Sequence, residues 1–291
     1  MTIKALTQPL EPALYLVATP IGNLADIGLR ALDVLRRADL VACEDTRVTS
    51  RLLHAHGIER SLLAYHDHNA ERVRPRLMEA LRDGKTVALV SDAGTPLVSD
   101  PGYKLVQALL GEGLAVTAVP GASAVLTALS LSGLPSDRFF FGGFLPAKTA
   151  ARRKALGEVS AVPSTLIFFE SPRRLAEALG DAVAVLDGAR PAAVARELTK
   201  LHEEVRRGPL SDLVVYYRDV PPPRGEIVLL IGPLPADVQE QSAEEQLDGR
   251  LIAALKAETL RDAVDRVAAE SGLPRRRVYR RALELERGDE R

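Results

Sequence analysis

Short apolar runs alternate with amphipathic segments along the first 120 residues of the chain. Five such runs predict buried strands, over residues 13–18, 40–44, 62–65, 86–90 and 114–119. The segments between them place apolar side chains at helical spacing, as at Leu29, Leu32 and Leu35. Strands that alternate with helices in this way are typical of a parallel sheet covered by helices on both faces.

Polar residues and glycines indicate where the first two helices begin and end. Asp26 is placed to cap a helix over 26–38, and Thr46 is placed to cap a second helix that Gly57 would end. The remaining helices of this half are expected before Gly84 and after Pro101.

The second half of the chain has a different order of elements. A helix from Ala122 precedes five further apolar or alternating runs that predict strands, over residues 139–144, 164–170, 191–197, 202–208 and 225–231. The run 202–208 follows 191–197 with no room for a crossover helix, so these two strands are expected to be antiparallel neighbours. This pattern predicts a second α/β domain with a mixed sheet.

The chain is therefore expected to contain two α/β domains and a small helical segment. The parallel domain is assigned to residues 1–120, the mixed-sheet domain to 121–235, and a linker with C-terminal helices to 236–291. A polar, proline-bearing stretch over 232–246 predicts the linker. Gly272 and Pro274 interrupt the helices after it, which is typical of a helix-turn-helix unit.

Composition excludes several classes of protein. The formal net charge of the 291 residues is −1, so no global charge favours nucleic acid or a membrane, and any basic binding face must be local. Cys43 is the only cysteine, which excludes an internal disulfide and a cysteine-based zinc cluster. The N-terminus shows neither a signal peptide nor a membrane-spanning run, so a soluble cytoplasmic protein is expected.

Candidate chemistry lies in the loops that follow the strands of the parallel sheet, where ligands of such sheets bind. The string SDAGTP (91–96) combines small residues, which allow close backbone approach, with the carboxylate of Asp92. Asp92 could bind ribose hydroxyls or an amino group, or could cap the following turn. The loop lacks the lysine and hydroxyl of a nucleotide-triphosphate site, and the first loop lacks a GxGxxG dinucleotide signature.

Other strand-end strings allow both a structural and a functional interpretation. In EDTR, Glu44, Asp45 and Arg47 could form a surface ion pair or could bind and deprotonate a hydroxyl. HDHN (66–69) supplies too few ligands for a metal site, so no metal is expected, although His68 could handle an acceptor. Ser123 in PGAS could simply cap the helix that follows it.

Several long strings, taken together, carry a specific resemblance. LYLVATPIGNLADIGLRALDVLRRADLVACEDTR, LLAYHDHN, ALVSDAGTPLVSDPGY, VPGASA, GLPSDRFFFGGFLPAK, TLIFFESPRRL, ARELTKLHEE and RGEIVLLI occur in this order. From about Leu14 to the C-terminus the chain resembles the ribosomal RNA small subunit methyltransferase I family, which 2′-O-methylates a cytidine in the decoding centre of 16S rRNA. That family is similar to tetrapyrrole methylases and diphthine synthase.

The resemblance implies a homodimer whose two α/β domains fold S-adenosylmethionine into the cleft between them. It implies 16S rRNA, within the small ribosomal subunit, as the macromolecular partner. The cofactor-binding residues that it implies are Pro20, Asp92, Gly94, Thr95, Ser123, Ala124, Phe169, Ala195, Arg196 and Gly225.

The remaining polar positions are assigned to the RNA acceptor as hypotheses. Glu44, Asp45, Arg47 and His68 are expected to handle the acceptor hydroxyl, since they have no evident cofactor role. Local basic clusters are expected to bind RNA phosphates, although each could be only a solvated helix face. Their members are Lys148, Arg152, Arg153 and Lys154 in the second domain and Arg275, Arg276 and Arg277 near the C-terminus.

Two competing interpretations remain open. A small-molecule C-methylase of the tetrapyrrole type would share the fold and the cofactor, and porphyrinoid binding would distinguish it. The other is a DNA-binding regulator built on the C-terminal helices, and this interpretation would assign no function to the two α/β domains and the cleft between them. The EDTR and HDHN strings and the C-terminal helices favour RNA as the acceptor.

Overall fold

The computed structural model describes residues 9–234 and 236–289, and side chains over 9–234 and 246–285. The strands of its first sheet are β1 (Leu14–Val17), β2 (Leu40–Cys43), β3 (Leu62–Ala64), β4 (Val87–Val90) and β5 (Val116–Val119). They are all parallel, in the order β3-β2-β4-β1-β5. The predicted parallel sheet is therefore confirmed.

Both faces of the first sheet are buried at its central strands β1, β2 and β4, which explains why these strands are continuously apolar. Val87 and Leu89 of β4 pack on one face, whereas Ala88 and Val90 pack on the other, because successive side chains alternate along a strand. Helices on the Ala88 face are α1 (Leu29–Arg37) and α2 (Thr46–Ala55), and those on the Val87 face are α3 (Ala70–Arg82) and α4 (Tyr103–Gly111).

The first two helices begin at different residues from those predicted. Asp26 ends a short 3-10 turn that Asn23 caps by accepting from the Ala25 amide, and α1 begins only after Gly28. The cap of α2 is Asp45, whose carboxylate accepts a 2.8 Å hydrogen bond from the Arg47 amide. Both acids of the EDTR string thus lie just outside α2, at the end of β2.

The second sheet is mixed, as predicted. Its strands are β6 (Phe139–Phe144), β7 (Thr165–Glu170), β8 (Pro191–Arg196), β9 (Glu204–Pro209) and β10 (Ile227–Ile231). They lie in the order β6-β7-β10-β8-β9, with β6 and β7 parallel and the other pairs antiparallel. The adjacent strands β8 and β9 pair antiparallel, which confirms the expectation drawn from their short connection.

Helices cover both faces of the second sheet, and one face also receives a residue of the first domain. The helices on one face are α6 (Thr149–Glu158), α7 (Leu175–Leu186) and α8 (Leu210–Asp219). The other face packs against α5 (Ala124–Ser132) and against Ile21, from the loop after β1. The strand order of the first sheet reverses at β1, so this loop lies where parallel sheets bind ligands.

Three helices at the C-terminus share a core of their own. They are α9 (Ala236–Leu255), α10 (Leu260–Ser271) and α11 (Arg275–Asp289). Leu251, Val264 and Val278 are completely buried in this core, and Gly272 ends α10 in the left-handed conformation. The linker predicted over 232–246 is wrong from residue 236 onward, because α9 begins there. None of the helices in the described ranges is long and apolar enough to cross a membrane.

Candidate active site

A cavity of about 480 Å³ opens at the carboxyl ends of β1, β2 and β4 and continues along the second sheet. Its first-domain wall comes from Ile21, from Glu44 after β2, and from the loop after β4. Its second-domain wall comes from β6, β7 and the start of β10. The lining residues from that sheet and its loops are Phe144, Phe169, Glu170, Ser171, Pro172, Gly225, Glu226, Ile227 and Val228.

Small residues after β4 let the backbone itself form part of the wall. Gly94 has a φ of 79°, and a side chain there would meet the Ile21 side chain at 3.4 Å. The amide of Thr19 donates a 2.8 Å hydrogen bond to the Gly94 carbonyl, and the Gly94 amide donates one of 3.1 Å to the Thr19 carbonyl. This pair of hydrogen bonds joins the loops after β1 and β4. The positive φ that residue 94 adopts in this pairing explains why a glycine is required here.

Asp92 lies at the end of β4, as its position in the sequence predicts, and lines the cavity. Its Oδ1 accepts a 2.9 Å hydrogen bond from the Asp45 amide, which fixes the carboxylate between β4 and the start of α2. Asp92 does not cap the turn that follows it with any described hydrogen bond. The functional interpretation of this acid is therefore favoured over the capping interpretation.

Two further carboxylates share the cavity wall with Asp92. Burial raises the pKa of Glu44, and the nearby Asp92 and Asp100 carboxylates raise it further. Burial also raises the pKa of Asp100, and Asp92 acts in the same direction. A cluster of partly buried acids favours protons, hydroxyl donors and cations as its ligands. Among the described residues, no group of acids, histidines and cysteine is arranged to hold a metal ion.

Glu170, at the end of β7, was not identified from the sequence. Its side chain is buried, and Oε1 accepts hydrogen bonds from the Ser171 amide at 2.6 Å and from Arg174 Nε at 3.0 Å. Its other oxygen, Oε2, is buried and has no hydrogen-bond partner. A buried acceptor without a partner is costly, but the Glu170 side chain is 0% exposed, so Oε2 does not face the open cavity.

Most of the predicted cofactor residues meet in this cavity. Phe169 is held there by edge contacts with Phe141 and Phe144, at ring distances of 4.9 and 5.3 Å. Ser123 caps α5 by accepting from the Leu126 amide and also lines the cavity, so its two interpretations are compatible. The predicted residues in the lining are Asp92, Gly94, Thr95, Ser123, Ala124, Phe169 and Gly225.

Three predicted cofactor residues lie outside the lining of this cavity. Pro20 lines a smaller neighbouring cavity instead. Ala195 is completely buried in the core between the second sheet and α5. Arg196 forms an ion pair with Glu204, which neutralises its charge, and it also donates a hydrogen bond to the Arg224 carbonyl. The prediction that Pro20 lines the same cavity is therefore wrong, whereas cofactor binding by Ala195 and Arg196 stays a prediction.

Only one of the four predicted acceptor residues lines the cavity, and that residue is Glu44. Asp45 caps α2 and pairs with Arg47, and this hydrogen bonding lowers its pKa to about 2. The Arg47 side chain is 85% exposed. His68 is exposed, and its ring lies 6.0 Å from that of His66. The structure thus separates Glu44 from the other three, which lie outside the lining.

One arginine of the basic cluster in the second domain is buried and has a structural role. Arg152 is completely buried and pairs with Asp181 of α7, so the prediction that it contacts RNA is wrong. Local sequence could not show this, because Asp181 is distant along the chain. Arg153 also binds Asp181 but is half exposed, and Lys148 and Lys154 are exposed.

The C-terminal arginines are partly neutralised by acids of neighbouring helices. Arg275 pairs with Asp265 of α10, whereas Arg276 is exposed and Arg277 is half-buried. Arg281, in the same helix, pairs with Asp248 of α9 and with Glu284. These pairs tie α11 to the other two helices, so part of this basic cluster has a structural role.

Comparisons with known proteins agree with this fold. Residues 13–214 match the family model described as Tetrapyrrole (Corrin/Porphyrin) Methylases, and residues 240–286 match that of the RsmI C-terminal HTH domain. Among solved structures, diphthine synthase aligns with a TM-score of 0.58 at 16% identity, covering 76% of this chain and 89% of that one. Uroporphyrin-III C-methyltransferase from Thermus thermophilus, complexed with S-adenyl homocysteine, aligns with a TM-score of 0.53 at 21% identity, covering 76% and 98%.

Curated relatives match over nearly the whole chain. The protein named ribosomal RNA small subunit methyltransferase I from Mesorhizobium japonicum is 55% identical, over 96% of this chain and 94% of its own length. The protein of the same name from Escherichia coli O157:H7 is 46% identical, over 93% and 94%. The second domain, the C-terminal helices and the acid-lined cavity are thus all within the matched length, and the chain belongs to the ribosomal RNA small subunit methyltransferase I family.

Proposed function

We propose that this chain transfers the methyl group of S-adenosylmethionine to the 2′-hydroxyl of a cytidine in the decoding centre of 16S rRNA. The names of the curated relatives support rRNA as the substrate class, and a solved neighbour holds a product-like form of the cofactor. The observation that carries the proposal is the meeting of Glu44, Asp92 and the small residues after β4 in one cavity between two α/β domains.

The cavity fits S-adenosylmethionine by the chemistry of its walls. The cofactor has a sulfonium, an ammonium group and ribose hydroxyls, all of which suit carboxylate acceptors. Asp92 is such an acceptor, and Phe169 offers an aromatic face. Gly94 and its neighbours allow close approach of the ligand to the backbone. A cavity of about 480 Å³ also lies within the usual range for a bound small molecule.

Bound in this cavity, S-adenosylmethionine supplies a methyl carbon whose bond to sulfur breaks as the bond to the acceptor oxygen forms. The protein holds the acceptor hydroxyl in line with that carbon, and positioning of this kind contributes much of the acceleration. The Glu44 carboxylate accepts the proton that leaves the 2′-oxygen. Its raised pKa makes it a stronger base than an exposed glutamate. Asp45, Arg47 and His68 lie outside the cavity and would contact the RNA around the acceptor.

The cellular setting is part of the same proposal. The substrate is the small ribosomal subunit or its rRNA, so the enzyme acts in the cytoplasm as a homodimer, as the family resemblance implies. Exposed aromatic side chains on β6, such as Phe139 and Phe140, offer an apolar surface for a second copy. Light scattering of the purified protein tests the dimer, since a mass equal to one chain would contradict it.

The proposed function is tested by methyl transfer from radiolabelled S-adenosylmethionine to small ribosomal subunits that lack the modification. Digestion of the RNA should release labelled 2′-O-methylcytidine. Label in a different nucleoside would contradict the proposed acceptor. Absence of label in RNA, with the cofactor still bound, would favour the small-molecule methylase that shares this fold.

Asp92→Asn should weaken cofactor binding by about 10- to 100-fold, because a hydrogen bond to a charged group contributes about 1.5–3 kcal/mol. The amide oxygen of asparagine can still accept from the Asp45 amide, so the loop should keep its place. Calorimetric titration with S-adenosylhomocysteine measures the change. The matched control is Asp67→Asn, an exposed acid outside the cavity lining, which should bind as wild type. Unchanged affinity in Asp92→Asn would remove Asp92 from the cofactor site.

Charge reversal of Lys148, Arg153 and Lys154 should weaken binding to the small subunit and flatten its salt dependence. All three are exposed or half exposed and flank the loop that follows Phe144 in the cavity wall. Filter binding at several salt concentrations measures the slope, with the exposed Lys104→Glu as control. Arg152 is left intact, because its burial would turn the test into one of folding. An unchanged slope would reject this surface as an RNA contact.

A further inference from the structure

A second, smaller cavity adjoins the cofactor cavity. Its volume is about 290 Å³, and it lies between the loop after β1, the outer part of α2 and the loop after β8. The residues that line both cavities are Ile21, Asp92, Ala93 and Glu226. Asp92 therefore stands at the junction of the two, and a ligand in the second cavity would lie next to the cofactor.

The second cavity combines apolar side chains with cationic and acidic ones, and its acids are Asp92 and Glu226. Leu24 and Val48 are partly exposed apolar residues on its wall. Arg51 is exposed, and with the described residues it makes no ion pair. Lys200 is the other cation, and its ammonium group donates to Glu197 at 2.8 Å and to Glu226 at 3.0 Å. These two carboxylates already neutralise Lys200, so Arg51 is the cation of this wall that has no ion pair among the described residues.

Lys200 is held in this wall by a strained segment that we call the strap, residues 197–203. Glu197 and Thr199 have φ values of 49° and 64°, a conformation that costs about 1–3 kcal/mol at a non-glycine residue and is concentrated at functional sites. The Asn23 amide donates to Thr199 Oγ1 at 3.1 Å, which ties the strap to the loop after β1. A side chain at Gly22 would lie 2.4 Å from Lys200 Cγ, so the strap and this loop are in close contact.

We propose that the second cavity is the subsite for the acceptor nucleotide, with the flanking phosphate held by Arg51. This inference rests on the proposed function, because it takes RNA as the acceptor. The apolar side chains suit the base or sugar of a nucleotide drawn out of its stack. The exposed guanidinium of Arg51 suits its phosphate, since arginine binds phosphate through strong, often bidentate hydrogen bonds. The ribose then faces the shared wall at Asp92, beside the cofactor.

Arg51→Gln tests the phosphate contact without altering the core, because Arg51 is exposed on α2. The KM for small ribosomal subunits should rise roughly 10-fold or more, the loss expected for one charged hydrogen bond. The slope of log affinity against log salt concentration should fall in magnitude by about 1, which is the contribution of one phosphate contact. The affinity for S-adenosylhomocysteine should stay at the wild-type value. The matched control is Arg76→Gln, an exposed arginine of α3 on the opposite face of the first sheet.

Val48→Trp tests the cavity itself. Val48 is 38% exposed, so a larger side chain can be accommodated in the fold while it fills the second cavity. Methyl transfer to RNA should be lost while binding of S-adenosylhomocysteine remains. Val215→Trp, at an exposed position on α8, is the control for the added indole and should transfer as wild type.

The outcomes separate this subsite from the proposed function. A wild-type protein that binds S-adenosylhomocysteine but leaves rRNA unlabelled would overturn both. A wild-type protein that labels rRNA, with Arg51→Gln and Val48→Trp retaining its KM and rate, would overturn the subsite alone. Loss of S-adenosylhomocysteine binding in Val48→Trp would place that residue in the cofactor site and would also overturn the subsite.

Discussion

Asp181→Ala should lower the free energy of unfolding of the second domain by about 3–5 kcal/mol, the usual cost of breaking a buried ion pair. Arg152 is completely buried, and its guanidinium donates to Asp181 at 2.7 Å through Nε and lies 2.6 Å from it through a terminal nitrogen. Without Asp181 this charge would remain buried among α6, α7 and the loop after β6. The same guanidinium also donates to the Pro146 and Ala147 carbonyls, so that loop should loosen as well.

Urea unfolding followed by circular dichroism measures this loss, and the protein contains a matched control. Arg153 binds the same carboxylate at 2.7 Å, but its side chain is 53% exposed. Arg153→Ala should therefore cost no more than about 1 kcal/mol, as exposed ion pairs do. If Asp181→Ala and Arg153→Ala lowered the free energy of unfolding equally, the distinction between the buried and the exposed arginine would be contradicted. The double variant Arg152→Met with Asp181→Leu should recover most of the stability, because an apolar pair needs no charge compensation.

The strands and the first-domain half of the site follow from local sequence. Continuous apolar runs predict strands buried on both faces, and the residues after parallel strands share one edge, so Glu44, Asp92 and Gly94 could be placed at a ligand site. Capping was harder to predict, because Asp26, Asp45 and Thr46 are all suitable caps and sequence alone does not select among them. Tertiary packing decides which of them begins a helix.

The second-domain half of the site depends on contacts between distant residues. Glu170 is recognisable as part of the cavity wall only because β7 ends there. In the sequence, Arg152 cannot be distinguished from the other basic residues of its helix. Only the folded structure shows that it pairs with Asp181 of α7. The strap is held in place by contacts with Asn23 and Gly22, which lie far away in the sequence. Periodicity and spacing describe neighbours along the chain and cannot supply these pairings.

Glu44→Gln should lower the rate of methyl transfer by about 10²–10⁴-fold, the contribution typical of a general base. Glutamine keeps the shape of the side chain but cannot accept the proton of the acceptor hydroxyl. The affinity for S-adenosylhomocysteine should change little, since the other acids of the cavity wall remain. Single-turnover transfer to small ribosomal subunits, together with calorimetric titration of the cofactor product, separates the two effects.

The pH dependence of the rate gives a sharper test of the same residue. Burial and the Asp92 carboxylate raise the pKa of Glu44 above its ordinary value of 4.5, and only its deprotonated form can act as base. The rate of the wild type should therefore increase with pH through this raised pKa and then level off. Glu44→Gln should lack this increase. Asp45→Asn is the control, because the pKa of Asp45 is lowered to about 2 and this acid stays ionised throughout.

Persistence of the pH-dependent increase in Glu44→Gln would assign it to another group. Asp100 is then the residue to replace next, because burial raises its pKa too and it lines the same cavity. The two acids differ in where they lie, since Glu44 follows β2 at the start of α2 whereas Asp100 lies in the loop between β4 and α4. A base at Glu44 places the acceptor near the start of α2, the helix whose Arg51 lines the second cavity. The pH profile of Glu44→Gln therefore also tests on which side of the cofactor the RNA approaches.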